Sequence, residues 1–331
     1  MVDYLRISVT DRCNLNCFYC LPSACLPQMV RKDYIPGYEI LRYEEIASLV
    51  KILAKLGIKK VRLTGGEPLV RRNIENLIKM ISSEDKIFQI SMTTNGILLG
   101  RRLISLLHAG LSRVNISLST LKRDRYKEFT GFDLFDKVWD SIKDAQRFIH
   151  LKVNTIILRG LNDDEIIDFA KLTLNFGIDV RFIEYFSTRR EFLGLEKRFI
   201  PNEVIKKILE KQFGKLLPAD SAGNGPAINY RINGAKARVG FINTNSEPFC
   251  TKCNRLRLSS DGRLYPCLFS PFSLNLKKML RANMPSEEIK REIEKLIMEK
   301  PEYSRPVRNE FLNESRKRAK RYEFTMSYIG G

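Results

Sequence analysis

Leu5-Arg6-Ile7-Ser8-Val9 runs into Thr10-Asp11-Arg12 and then into Cys13-Asn14-Leu15-Asn16-Cys17-Phe18-Tyr19-Cys20: a strand-like apolar run followed by three cysteines spaced C-x-x-x-C-x-x-C. A structural zinc site takes four tight protein ligands, commonly from C-x-x-C pairs. Three thiolates suit instead a cubic four-iron cluster with one iron corner left open for a small molecule. Far downstream Cys250, Cys253 and Cys267 form a second group of three. The pattern therefore predicts two iron-sulfur clusters, each with chemistry to do. His108 and His150, the chain's two histidines, fall on segments that read as helical and far from either group.

Outward from this stretch the chain alternates strand-like and helix-like patterns as far as about residue 186. Runs rich in Ile, Val, Leu and Phe predict strands at 5–9, 59–64, 87–94, 112–118, 151–158 and 179–185. Between the first two, Ile46, Leu49, Val50, Leu53 and Leu56 recur at helical spacing, and Gly57 follows as a C-terminal cap. Six strand-helix units imply a parallel sheet with right-handed crossovers, either a partial barrel or an open doubly wound sheet, since six units are too few to close an eight-stranded barrel. In both, ligands sit at the C-terminal ends of the strands. The cysteine loop, Gly65-Gly66-Glu67-Pro68, Thr94-Asn95-Gly96 and Ser117-Leu118-Ser119 all fall there.

After about residue 190 the pattern changes. Pro201 to Phe213 reads as a helix opened by proline, Asn233-Gly234 and Asp261-Gly262 as hairpin turns, and Leu274 to Leu296 as a helix broken by Pro285. The expected division is 1–190 and 191–331.

At 331 residues, with 44% apolar and 29% charged residues, the composition is that of a folded globular chain. No run of about eighteen apolar residues predicts a membrane span, and six of seven cysteines fall in two clusters rather than a dispersed disulfide framework. Both point to a cytoplasmic protein, with Cys25 as a small packed side chain. A net charge of +19 calls for an anionic partner, although the basic run Arg305, Arg308, Arg316, Lys317, Arg318, Lys320 and Arg321 reads as a solvated face. There is no glycine loop ending in Lys-Ser or Lys-Thr, so a bound nucleotide must be held mainly by side chains.

The first triad after a strand, with Thr64-Gly65-Gly66-Glu67-Pro68 after the next, resembles the radical S-adenosylmethionine superfamily. Cys250-x-x-Cys253-Asn254-Arg255-Leu256-Arg257-Leu258, Asp261-Gly262-Arg263, Cys267 and the closing Tyr328-Ile329-Gly330-Gly331 narrow the likeness to the GTP 3′,8-cyclase family of molybdenum cofactor biosynthesis. The resemblance runs from Tyr4 to Gly331. It implies an α/β fold: a partial (βα)6 TIM-like barrel of radical SAM type, with a C-terminal α+β extension carrying the second cluster.

It further implies two 4Fe-4S clusters, held by Cys13, Cys17 and Cys20 and by Cys250, Cys253 and Cys267. S-adenosyl-L-methionine would lie near Tyr19, Gly66, Ser117 and Phe186, the last standing where the family usually has methionine. GTP would lie against Arg6, Arg62, Thr93, Lys152, Arg255, Leu256 and Arg257, with Arg255 and Arg257 joining the first three cysteines in catalysis. Hydrogen removal from the ribose C3′ and attack on guanine C8 would give the cyclised nucleotide, which passes to cyclic pyranopterin monophosphate synthase. A reductant feeds the clusters, the closing glycines enter the active site, and homodimer formation stays open. Neither nucleic acid nor membrane is an expected partner.

Three rivals share parts of this pattern. A peptide-modifying radical maturase usually carries more than three downstream cysteines. A radical enzyme acting on transfer RNA would fit the net charge and would show salt-dependent RNA binding. A non-catalytic iron or zinc scaffold would have fully ligated metal and no affinity for S-adenosylmethionine.

Overall fold

Six parallel strands stand in the order in which the chain makes them. In the computed structural model, which describes residues 2–20, 34–185, 195–220, 225–246, 253–268, 270 and 272–304, these are β1 (Tyr4–Ser8), β2 (Lys60–Thr64), β3 (Gln89–Thr94), β4 (Arg113–Ser117), β5 (His150–Ile156) and β6 (Asp179–Ile183). They alternate with α1 (Tyr43–Lys55), α2 (Ile74–Ser82), α3 (Leu99–His108), the pair α4 (Arg123–Thr130) and α5 (Phe135–Ala145), and α6 (Ile166–Asn175). Each strand pairs with the next, with no reversal. A doubly wound sheet reverses its order at a switch point. Unreversed right-handed crossovers place every helix on one face, which is the partial-barrel alternative. Packing of α1 on α2, α2 on α3, α3 on α5 and α4 on α5 makes that single outer layer.

Alternation along the strands gives the two faces opposite characters. Leu5, Ile7, Val61, Leu63, Ile90, Met92, Val114, Ile116, Leu151, Val153, Val180 and Phe182 are buried against the helices. Burying each such side chain contributes about 1.5–3 kcal/mol. Phe182 lies between Phe169 of α6 and Phe241, and truncating it to alanine would cost about 3–5 kcal/mol. The residues between these positions are polar and face the other way.

Local chemistry sets the helix ends. The Arg42 N–H donates to Glu45 Oε2 at 2.7 Å at the start of α1, and Gly57, at φ +98°, lets the Ile58 N–H reach back to Leu53 O at 3.1 Å.

The C-terminal region extends both edges of this sheet. It comprises α7 (Asn202–Phe213), β7 (Leu217–Pro218), β8 (Ile228–Arg231), β9 (Val239–Ile242), β10 (Arg255–Leu258), β11 (Arg263–Tyr265), β12 (Leu274–Asn275), α8 (Leu276–Arg281) and α9 (Ser286–Ser304). Strand β9 adds in parallel to β6 and β10 in parallel to β1, giving the continuous order β12-β11-β10-β1-β2-β3-β4-β5-β6-β9-β8-β7. Both expected hairpin turns are present, between β8 and β9 and between β10 and β11. Two readings need correction. Leu274 and Asn275 form an edge strand before the helices, because Leu274 pairs with Leu264. His150 opens β5 instead of lying on a helix, beside Arg113 of β4.

Candidate active site

Backbone crowding fixes the first cysteine loop. The Gly66 N–H donates to Thr10 O and the Glu67 N–H to Arg12 O, both at 2.8 Å. A Cβ on Gly65 would lie 2.4 Å from Thr10 O, and one on Gly66 2.2 Å from Arg12 O. Gly65 also sits at φ +150°. Only residues without side chains let β2 run this close to the strand leading into the cysteines. From the other side, the Asn16 and Phe18 N–H groups donate to Thr130 O and Phe129 O at the end of α4, and the Phe18 ring meets Phe129 edge-on at 5.0 Å.

Glu67 links this loop to the ends of β2 and β3. It is buried, and its carboxylate accepts from the Leu69 N–H (3.0 Å), the Thr94 hydroxyl (2.7 Å) and the Asn95 N–H (2.7 Å). Burial outweighs these donors and lifts its pKa to about 7. The Asn95 amide then donates to Asn14 Oδ1 at 2.8 Å and lies 4.0 Å from Cys13 Sγ. Sequence reading noted Gly-Gly-Glu-Pro and Thr-Asn-Gly as separate loops. Glu67 makes them one support.

Burial pushes the thiols of Cys13 and Cys20 up to about 12 and about 11, and that of Cys17 higher still. Among the described residues no three His, Cys, Asp or Glu side chains converge on a point that one ion could fill. In a four-iron cube each thiolate takes its own corner, and an all-sulfur donor set is the usual one for such a cluster. Tyr19 is partly buried beside Cys17 and Cys20, with its hydroxyl accepting from Ser119 at 3.2 Å. Ser117 closes β4 with its side chain exposed. Phe186 lies outside the described residues.

Cys253 and Cys267 occupy the opposite end of the sheet. Cys253 precedes β10, whose Arg255 pairs with Tyr4 at the start of β1, and β11 runs antiparallel back to Cys267 at the same end. The first triad thus follows the C-terminal end of β1, while Cys253 and Cys267 stand at its N-terminal end. Strand β1, about 13 Å long at about 3.3 Å per residue, lies between the two groups. Cys250 lies outside the described residues, as do Cys25, the basic C-terminal run and the closing glycines. The Cys253 thiol is pushed up by burial but drawn down more strongly by Arg255 and Lys300, to about 7.

Between these ends the polar face of the sheet is lined with cations. Register brings Arg6, Arg62, Ser91 and Arg113 into one row and Thr93, Asn115, Lys152 and Asp179 into another, with Arg257 beside Arg6 and Arg181 beside Asn154. Arg62 donates to the Thr93 hydroxyl at 3.2 Å and to the Tyr4 hydroxyl. Burial first and neighbouring guanidiniums second pull Arg181 and Arg257 down to about 10, and Arg6 well below its ordinary value. Such a field favours a polyanion. Leu256 differs from its neighbours: its side chain points to the core and is fully buried.

Lys152 is anchored rather than loose, with its ammonium on Asp179 at 2.9 Å. Asp179 also takes Arg238 at 3.0 Å and His150 at 3.3 Å. Burial pulls Lys152 down to about 8, with the charge of Arg181 adding to it. Tyr4, Arg181, Asp179 and Glu67 had no assigned role in the sequence. Starting the first strand one residue earlier, at Tyr4, would have placed Tyr4 on the face of Arg6, and alternation within the predicted sixth strand would have placed Arg181 on a polar face. Which strand lies next to which is not written in that pattern.

Comparison with known proteins agrees with this architecture. The Radical SAM superfamily profile matches residues 7–173 and the Molybdenum Cofactor Synthesis C profile residues 178–306. A GTP 3′,8-cyclase of Thermodesulfovibrio yellowstonii is 41% identical over 313 residues, covering 93% of this chain and 95% of its own. Another of Pelotomaculum thermopropionicum is 44% identical over 304 residues (91% and 92%), and one of Petrotoga mobilis is 40% identical over 332 residues (100% and 98%). Among solved structures, Streptococcus suis SuiB bound to S-adenosylmethionine superposes with a TM-score of 0.59 at 14% identity, over 83% of this chain and 63% of that one, a likeness of fold.

Proposed function

Since this chain belongs to the radical SAM superfamily, we propose that it is a GTP 3′,8-cyclase, joining the ribose C3′ of GTP to guanine C8 in molybdenum cofactor biosynthesis. The carrying observation is the cationic face held between Cys13, Cys17 and Cys20 beyond one end of β1 and Cys253 and Cys267 at the other. A nucleotide triphosphate spans that interval and carries about four negative charges, which arginine forks bind with paired hydrogen bonds.

Cys13, Cys17 and Cys20 would hold one 4Fe-4S cluster, and Cys250, Cys253 and Cys267 the other. With S-adenosylmethionine bound, the first supplies one-electron cleavage of a carbon–sulfur bond and so the means of removing a ribose hydrogen.

The remaining work belongs to the chain. Arg6, Arg62, Lys152, Arg255 and Arg257 hold the phosphates and orient the nucleotide, with Thr93 and Tyr4 fixing Arg62. Leu256 contributes backbone alone. Tyr19, Gly66 and Ser117 border the S-adenosylmethionine side, to which the family likeness also assigns Phe186. Holding the ribose against the radical source replaces an encounter with an intramolecular geometry, and the sheet walls keep water from quenching it. Removal of a hydrogen atom needs no general base.

The same reading assigns residues 1–190 to radical generation and 191–331 to the second cluster. It has the product pass to cyclic pyranopterin monophosphate synthase, in a reducing cytoplasm that provides the electron donor. No helix among the described residues is long and apolar enough to cross a membrane.

Anaerobically reconstituted protein given S-adenosylmethionine, GTP and dithionite should release 5′-deoxyadenosine together with the cyclised nucleotide. Release of 5′-deoxyadenosine without change to GTP would leave the superfamily assignment and remove the cyclase.

A further inference from the structure

Helix α9 packs through Ile289, Ile293 and Leu296, all buried. Lys300 continues that stripe at the next helical repeat, where another apolar residue is expected. It is 5% exposed, a rare state for a lysine. Its ammonium has three protons to place. It meets Pro266 O at 2.6 Å, Arg255 O at 2.8 Å and Cys253 Sγ at 3.8 Å.

Each acceptor belongs to the second cysteine group. Arg255 opens β10 two residues after Cys253, and Pro266 immediately precedes Cys267. One side chain from a separate helix therefore ties both described cysteine segments together and sets a positive charge against a ligand sulfur. The first group has a different neighbour: Cys13 Sγ faces the neutral amide of Asn95 at 4.0 Å.

We propose that Lys300 is a positioning residue for the second iron-sulfur cluster, donating to the Cys253 sulfur and raising the reduction potential of that cluster. The inference rests on the reading of Cys250, Cys253 and Cys267 as cluster ligands. Reduction adds negative charge to a cluster, so a nearby cation and an N–H directed at a ligand sulfur stabilise the reduced state. A mere structural pin would hold the loop without moving the potential.

Lys300→Gln keeps N–H donors for the carbonyls and removes the charge; Lys300→Met removes both. Iron content and a potentiometric titration followed by electron paramagnetic resonance, with the first cluster identified by its response to S-adenosylmethionine, read the outcome. Both variants should keep about eight irons per chain. The second cluster's midpoint should move to more negative potential, further in Lys300→Met, while the first stays in place. Full iron with an unchanged second midpoint would overturn the inference alone, as would loss of about half the iron in both variants, which assigns Lys300 to the pin. A wild-type chain with only about four irons would remove the two-cluster reading and the inference together.

Discussion

Arg6 of β1 stands directly opposite Arg257 of β10 in adjacent parallel strands. Like charges facing one another across a sheet are destabilising, and both are pulled below their ordinary pKa by burial and by each other's neighbourhood. The arrangement makes sense as a site completed by an anion. Arg257→Met should weaken GTP binding by about 1.5–3 kcal/mol, the worth of a hydrogen bond to a charged group, or tenfold or more in Kd. Titration calorimetry reads the affinity, and thermal melts without nucleotide check that the variant remains folded. Unchanged affinity would place the triphosphate elsewhere.

Gly66→Ala tests the crowding beneath the first cysteine loop. The new Cβ would meet Arg12 O at 2.2 Å, a backbone atom that cannot swing aside. Forcing it in costs about 1–3 kcal/mol or more and displaces the loop. Reconstituted Gly66→Ala should therefore hold about half the wild-type iron, retained at the second cysteine group. Full iron content in the variant would show that the loop yields without losing its ligand geometry.

The cores of the six strands were legible because each carries buried apolar residues at alternate positions, as in Leu5, Ile7 and Val9 or Val61 and Leu63. The same alternation leaves Arg6, Arg62 and Lys152 facing away from the helices, so part of the site was legible too. What sequence could not supply was adjacency. Arg6 and Arg257 are neighbours only because β10 returns to the outer edge of β1, a long-range pairing with no local signal. Asp179 carried no local signal of a role, and only register places it beside Lys152. Leu274 was read as helical for a similar reason, since its strand exists only through Leu264.

Asp179 supplies a pH-dependent term. Burial alone would raise its pKa, but His150, Lys152 and Arg238 outweigh burial and hold it well below the usual carboxylate range. A carboxylate with a depressed folded pKa stabilises the fold above its unfolded pKa of about 4, and that contribution fades as pH falls toward the folded value. Asp179→Asn leaves the buried Lys152 and the partly buried Arg238 without their carboxylate and should cost about 3–5 kcal/mol near neutral pH. Urea unfolding should show the gap between wild type and variant narrowing steadily below about pH 4. A gap that stays constant with pH would mean that Asp179 acts through packing.

The two cysteine groups should also differ chemically once iron is removed. Metal binding and alkylation both require the thiolate. Burial holds the Cys13 and Cys20 thiols near 12 and 11, whereas Arg255 and Lys300 bring Cys253 to about 7 against the opposing effect of burial. Near pH 8 Cys253 is mostly ionised and the first group scarcely so. The lower intrinsic nucleophilicity of a low-pKa thiolate offsets much of that advantage, leaving a reaction roughly ten- to a hundredfold faster. Chelated, reduced protein treated briefly with iodoacetamide should thus be labelled at Cys253 before Cys13 or Cys20, as read by peptide mass mapping. Labelling in Lys300→Met should slow, because one of the two cations lowering that thiol is gone. Equal labelling of Cys13 and Cys253 in the wild type would show that access, not charge, controls the two sites.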